Sequence, residues 1–376
     1  MGARSRSTGP FIGAVDWLHR WTGAVIGLLL ALLGVSGALL VNAESLFVPA
    51  ARVVDRTASL SAIAAGVEQH ATARPDYIIF ASRDFPFHRI AYRDGSGRYL
   101  DSAGSIASQW HSQWGRPEIW LFDLHRHLFI GKAGETIVGI AALLGIGFVV
   151  TGIFLWWQRR RSFAPRLWPS RISRPAIVRH HRDLGIVIAP LLLLSFVTGT
   201  AMALKPVGLM LVSPWSSASE IAAATARPGL QFPDRCEPLD WPGIISAAGR
   251  RFPAAEIRLI GFPAEAGDPI LVRMRQPDEW LPNGHTFLWF APCGAQLIAA
   301  KDARTFPKGV KILDLAYPLH AAKAGGFIHR LIMTIVGIGL ALLGSFSVWS
   351  FWIKSPGRVS RRDCRRYTSS GEPGSG

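Results

Sequence analysis

Four long stretches of the chain carry almost no charge, and the segments between them alternate polar and apolar residues. Residues 16–41 read DWLHRWTGAVIGLLLALLGVSGALLV, and 137–157 run about twenty apolar residues ending in a double Trp. Residues 184–204 and 327–353 repeat the device. At about 1.5 Å per residue, each is long enough to cross a bilayer core of about 30 Å. The first run exceeds the apolar core of a signal peptide, about 7–15 residues, so it reads as an anchor. Pro190 falls inside the third run and is expected to kink it, which a bundle tolerates when neighbouring helices satisfy the freed carbonyl.

Between the runs the period changes. Residues 59–71 repeat with helical spacing, 77–81 and 88–92 read as strands, and Asp94-Gly95-Ser96-Gly97 reads as a hairpin turn into 99–101. After the third run, 241–252 reads as a helix, and 256–261, 269–275, 286–290 and 296–300 read as strands. The plan of span, α+β module and span therefore occurs twice, at a period of roughly 160 residues, too long for a solenoid. The expected fold is an integral membrane α-helical bundle of four transmembrane helices with two periplasmic α+β modules, internally duplicated. Its divisions are a cytoplasmic start (1–14), a first span (15–41), a first module (42–116) and a second span with an outward extension (117–158). A cytoplasmic loop (159–180), a third span (181–205), a second module (206–313), a fourth span with an outward extension (314–353) and a basic tail (354–376) complete it.

Charge orients this plan. The formal net charge is +16, a value that also suits nucleic-acid binding. However, residues 158–182 hold eight Arg and no acid, whereas 42–124 balance eight Arg against nine acids. The excess flanks the spans where the positive-inside rule places it, so no nucleic-acid partner is expected and both termini are placed in the cytoplasm. The three cysteines form no CxxC or Cys/His cluster, which removes a zinc or thioredoxin-like site. Cys236 and Cys293 share the second outside module, where oxidising conditions would allow a disulfide. The alternative is two free thiols too far apart to bridge. Cys364 lies in the tail.

The candidate chemistry is histidine. His19 and His181 open the first and third runs in the matching strings HRWTG and HRDLG, and His125 and His320 precede the second and fourth. His125 stands as far before Trp157 as His320 stands before Trp352, about 48 Å if each helix is unbroken, and His19 stands 22 residues before Val41 as His181 stands 23 before Leu204, so each pair is level. Two level pairs on opposite faces suit two bis-histidine haems between facing helices. A lone histidine at a membrane interface is usually a snorkelling polar group; four in equivalent places are harder to dismiss. His127 and His180 are spares beside the chosen residues, and His329 rivals His320. His70, His88, His111 and His285 fall in the outside modules and read as surface groups. Arg20, Arg126, Arg182 and Arg330 each adjoin a histidine and are either snorkelling anchors or partners for haem propionates. Glycines 23, 27, 34 and 37 in the first span, and 337, 339 and 344 in the fourth, allow close helix packing or room for a macrocycle.

With LHRWTG, DLHRHLFIGKAG, HHRDLG and PLHAAKAGG in place, the chain resembles the PepSY-associated transmembrane family of bacterial iron-regulated membrane proteins and ferric-siderophore reductases. The resemblance runs from about residue 12 to 355 and includes two PepSY-like modules. It implies haem b at His19, His125, His181 and His320, an inner-membrane location, and electron delivery to periplasmic ferric chelates. Two departures touch the ligand set: His180-His181 stands where Leu-His is usual, and His329 is additional. The expected activity is oxidoreduction of a ferric siderophore or other Fe(III) chelate, with electrons from quinol or a cytoplasmic reductase and no general base or nucleophile. No GxGxxG at a strand–helix junction marks a built-in nicotinamide or flavin domain. Two alternatives stay open: a non-enzymatic PepSY-type peptide-binding sensor or regulator, and a cytochrome b serving quinone or another periplasmic acceptor. The chelate is expected in the cleft between the modules, above His125 and His320; Trp110, Trp114, Trp120 and Tyr317 nearby either wall the haem, carry the chelate or form an interfacial aromatic belt.

Overall fold

The structure is a computed structural model. It describes residues 9–352 apart from 49–57, 71–72, 74, 83–84, 167, 230, 233–237 and 266. In chain order the first half contains α1 (Pro10–Val41), α2 (Ala43–Phe47), α3 (Leu60–Gln69), β1 (Pro75–Ile79), β2 (His88–Tyr92), β3 (Gly97–Leu100), β4 (Ile106–Trp110), α4 (Pro117–His127) and α5 (Gly131–Trp157). The second half contains α6 (Arg174–Ala203), α7 (Lys205–Val212), α8 (Ala218–Thr225), α9 (Trp241–Arg251), β5 (Glu256–Gly261), β6 (Ile270–Arg275), β7 (Thr286–Phe290), β8 (Leu297–Lys301), α10 (Lys308–Asp314), α11 (Ala316–His320) and α12 (Gly326–Trp352).

Helices α1, α5, α6 and α12 are each long and apolar enough to cross a membrane. Their outward faces stay apolar: Ile137, Ile140, Val150 and Ile153 of α5 and Ile335 and Ile338 of α12 are exposed. Such a surface is stable only against lipid or another apolar partner. The helices pack as a ring, α1 on α12, α12 on α6, α6 on α5 and α5 on α1. So α1 faces α6 across one diagonal and α5 faces α12 across the other. The α1–α12 contact is a glycine seam. A Cβ on Gly34 would lie 2.5 Å from the Gly337 carbonyl oxygen, and one on Gly27 would lie 2.8 Å from that of Gly344. Gly27 to Gly34 and Gly337 to Gly344 are equal steps, so the small residues stay in register along an antiparallel pair. Gly37 and Gly339 serve other contacts, with His125 and Ile188. Pro190 sits within α6, which runs unbroken from Arg174 to Ala203.

The polar segments form one sheet, not two separate modules. Its order is β4-β3-β2-β1-β5-β6-β7-β8, and every neighbouring pair is antiparallel. The halves join where β1 pairs with β5, with Ile78 opposite Ile260 and both fully buried. Strands β2 and β6 bury alternate residues, the period-2 pattern of a half-covered sheet. Helices α3 and α9 share its covered face: Ile63 and Val67 meet Trp241, Ile244 and Ala248 in a single core. Burying each such large apolar side chain contributes about 1.5–3 kcal/mol. A tie between the halves accompanies this, as the Trp241 indole donates to Glu68 at 2.7 Å. Among the described residues the two halves are thus joined edge to edge where a cleft was expected, and pairing β1 with β5 satisfies two edges that would otherwise be open.

The predicted strands lie close to those found, but β4 is not among them, since its side chains are mostly outward. The outward extensions of the second and fourth spans are not continuous with them. Leu128, Phe129 and Gly131 take φ of 49°, 61° and 59° between α4 and α5, and Ala322 and Gly326 take 54° and 55° between α11 and α12. Left-handed residues end a helix, so His125 and His320 ride on short separate helices. Two histidines read as surface groups are not: His88 is buried, and His285 packs between Phe287 and Phe306 with its Nδ1 2.8 Å from Asp314. Cys293 is disulfide-bonded; Cys236, its expected partner, lies outside the described residues, as does Cys364.

Candidate functional site: two histidine pairs across the bundle

Each end of the bundle carries one histidine pair. His19 of α1 faces His181 of α6, with ring centres 6.3 Å apart and planes at 86°. His125 of α4 faces His320 of α11, with ring centres 6.2 Å apart and planes at 51°. One metal bracketed by two imidazoles, with bonds of about 2.0–2.1 Å, puts ring centres about 6 Å apart. Both pairs match that spacing. All four rings are half-buried.

Helix packing sets the depth of the sheet-side pair. His125 lies against Gly37, where a Cβ would be 3.1 Å from the ring, and its Nδ1 is 2.9 Å from the Ser36 hydroxyl. His320 lies against Gly199, where a Cβ would be 3.2 Å away, and its Nδ1 is 3.1 Å from the Thr198 hydroxyl and from the Ser195 carbonyl. Ser36 follows His19 at the same interval at which Thr198 follows His181. At about 1.5 Å per residue, that interval sets the two pairs about 26 Å apart along α1 and α6. This is far short of the reach expected of unbroken helices, because α4 and α11 fold onto the bundle. In the far pair, His19 Nδ1 is 2.8 Å from the Thr151 hydroxyl, and its ring edge meets Phe148.

The alternates point elsewhere. His180 is fully buried and meets Phe346 edge-on at 5.5 Å. His127 bonds Asp123 at 2.8 Å. His329 sits on α12 beside Gly325. Three of the four arginines have carboxylate partners within the chain. Arg20 pairs with Asp16 at 3.6 Å, Arg126 with Glu135 at 2.9 Å, and Arg182 with Asp183 at 2.7 Å. Asp183 is fully buried and also binds Arg166. Arg330 has no carboxylate partner among the described residues. Trp110 is buried beside Tyr99 and Arg116, whereas Trp114 and Trp120 lie tilted against Phe129, with ring centres 5.6 and 5.2 Å away. Tyr317 is exposed.

Sequence reasoning missed four of the groups that hold the rings, Ser36, Thr198, Thr151 and Gly199, and read Gly37 only as a packing glycine or as room for a macrocycle. The strings VSG and VTG, equally spaced from His19 and His181, were the available signal. A family model described as the PepSY-associated TM region matches residues 17–354. No curated protein sequence matches the chain.

Proposed function

Because the chain belongs to the PepSY-associated TM region family, a multi-pass membrane family, we propose that it is a di-haem electron-transfer protein of the bacterial inner membrane. In this reading it is an oxidoreductase that reduces a ferric siderophore or another Fe(III) chelate in the periplasm and releases Fe(II). The observation that carries the reading is the pair of facing imidazoles at each end of the bundle, at 6.2 and 6.3 Å.

Among the described residues no cluster of three or more His, Cys, Asp or Glu suits a bare ion. A structural zinc site takes four protein ligands. Iron already held in a macrocycle would need few further ligands from the chain, so a donor set of two histidines fits haem b. His19 and His181 would hold one haem, and His125 and His320 the other. When bound, each haem supplies one-electron chemistry between ferric and ferrous iron. The chain's own part is placement. Gly37 and Gly199 admit the sheet-side rings, the apolar bundle excludes water, and Arg330, which has no carboxylate partner among the described residues, would be available to a propionate. The equal steps from His19 to Ser36 and from His181 to Thr198 support an internal duplication, with the sheet on the periplasmic side.

One electron converts one Fe(III) to Fe(II). A quinol releases two electrons and two protons and so serves two chelates; a cytoplasmic reductase is the other donor class. Fe(III) is hard and held tightly by oxygen ligands, whereas Fe(II) is softer and held less well, so the chelate lets go after reduction. The hydrophilic chelate would approach the sheet side, nearest His125 and His320.

Purified protein with a dithionite-reduced b-type spectrum and two haems per chain is the expected result. His19→Ala or His181→Ala should leave one haem. His125→Ala or His320→Ala should abolish chelate reduction while the far haem stays reducible, and His329→Ala should be mild. A colourless protein that inserts normally would refute the reading and favour a peptide-binding regulator.

A further inference from the structure

We propose that Ser36, Thr198 and Thr151 are positioning residues that fix the proton on Nδ1 of three of the four facing imidazoles, and that the missing fourth hydroxyl makes the two ends of the bundle electronically unequal. The inference rests on the haem reading above.

A hydroxyl has one hydrogen to donate. Ser36 directs its hydrogen to the Leu32 carbonyl at 2.8 Å, Thr151 to Gly147 at 2.7 Å and Thr198 to Leu194 at 2.7 Å. Each is the carbonyl one turn back, the usual bond of a helix-interior Ser or Thr. With its hydrogen committed there, each oxygen can only accept from the histidine it touches. This assignment places the proton of His19, His125 and His320 on Nδ1. For His320 the Ser195 carbonyl, which has no hydrogen to give, requires the same. The lone pair is then on Nε2, the nitrogen left for a metal. A ligand imidazole whose second nitrogen donates a hydrogen bond is held in orientation and is more basic. Greater basicity favours the ferric state and lowers the potential.

The fourth position breaks the pattern. Phe346 stands after His320 at the interval at which Thr151 stands after His125. That ring lies against His180 and offers no hydroxyl. No hydroxyl meets His181 Nδ1, and the ring's hydrogen bond is to the Leu343 backbone. The sheet-side pair thus has two imidazoles anchored by hydroxyls and the far pair has one.

Redox titration of the haem-loaded protein, followed by absorbance with the two b-type components resolved, tests this. Ser36→Ala and Thr198→Val should each shift the same component to higher potential and leave the other in place. Thr151→Val should shift the other component alone. Ser36→Thr and Thr198→Ser should restore wild-type values. Should a variant lose haem instead, selective loss of one haem, recovered in the conservative variant, supports the same assignment. Unshifted potentials, equal shifts of both components, or loss of both haems in every variant would overturn it. Wild-type protein without haem would sink the haem reading itself, whereas two haems with unmoved potentials would sink only this inference.

Discussion

Gly34→Ala should loosen the bundle, although alanine is the better helix former by about 1 kcal/mol. The added Cβ would stand 2.5 Å from the Gly337 carbonyl oxygen and 2.9 Å from the Ala341 nitrogen. Both obstacles are backbone, so neither can turn aside. Ordinary contact begins near 3.4 Å, so α1 and α12 must give way at this point. A gap of about 0.5–1 Å forfeits a quarter to a half of each dispersion contact along the seam. Overpacking of this kind costs about 1–3 kcal/mol, which outweighs the propensity gain. Gly147→Ala is the matched control, because its Cβ would meet nothing within 4 Å. Thermal unfolding in detergent, followed by circular dichroism, should place Gly34→Ala below wild type and Gly147→Ala at or above it. A Gly34→Ala protein as stable as the control would refute close backbone approach as the basis of the α1–α12 contact.

Burial in the sheet lowers His88 to about 4 from 6.5, so the folded state holds it neutral while the unfolded chain takes up a proton below pH 6.5. Sheet stability should therefore be full above pH 6.5 and fall between 6.5 and 4, by at most about 3 kcal/mol at about 1.36 kcal/mol per unit; hydrogen exchange of β2 at pH 7 and pH 5 would show the loss, and His88→Gln should flatten it. Arg116 lies 4.2 Å from the Trp110 ring centre and 4.3 Å from that of Tyr99, and it pairs with Glu118. Arg116→Ala should destabilise this corner by about 3–5 kcal/mol, because it strands a carboxylate with little access to water; equal urea midpoints for variant and wild type would contradict it. Asp183→Ala should free the α5–α6 connection, which Asp183 pins through Arg166 and Arg182, and limited proteolysis should cut within 159–173 only in the variant.

The sequence made the spans legible because a bilayer tolerates so few residue types, and the strands because one face of the sheet is buried. The histidine pairing was legible too: equal spacing from the span ends placed His19 with His181 and His125 with His320. Three features were not. The joined sheet depends on β1 meeting β5, and nothing local to Pro75–Ile79 or Glu256–Gly261 names the partner. The helix breaks depend partly on Leu128, Phe129 and Ala322 adopting positive φ, which only their surroundings impose; Gly131 and Gly326, each at the same short step past its histidine, were the readable half of that signal. The hydroxyls of Ser36, Thr151 and Thr198 were hidden because Ser or Thr inside an apolar helix usually bonds its own backbone, and each of these does so as well as meeting a histidine.

The sheet order also sets a timetable for synthesis. Strand β1 is central in the finished sheet but is an edge until β5 arrives, nearly half the chain later. At about 5–20 residues per second, the wait from Ile79 to Glu256 lasts roughly 9–35 s. Through it, β1 presents the unpaired amides and carbonyls that recruit stray strands. Helix α1 waits longer for α12, the partner of its glycine seam. The earliest-made parts of both layers are thus completed by parts from the second half of the chain, an arrangement of high contact order that slows folding. The hazard is greatest midway through translation, when a neighbouring nascent copy of the same chain offers β1 a competing edge.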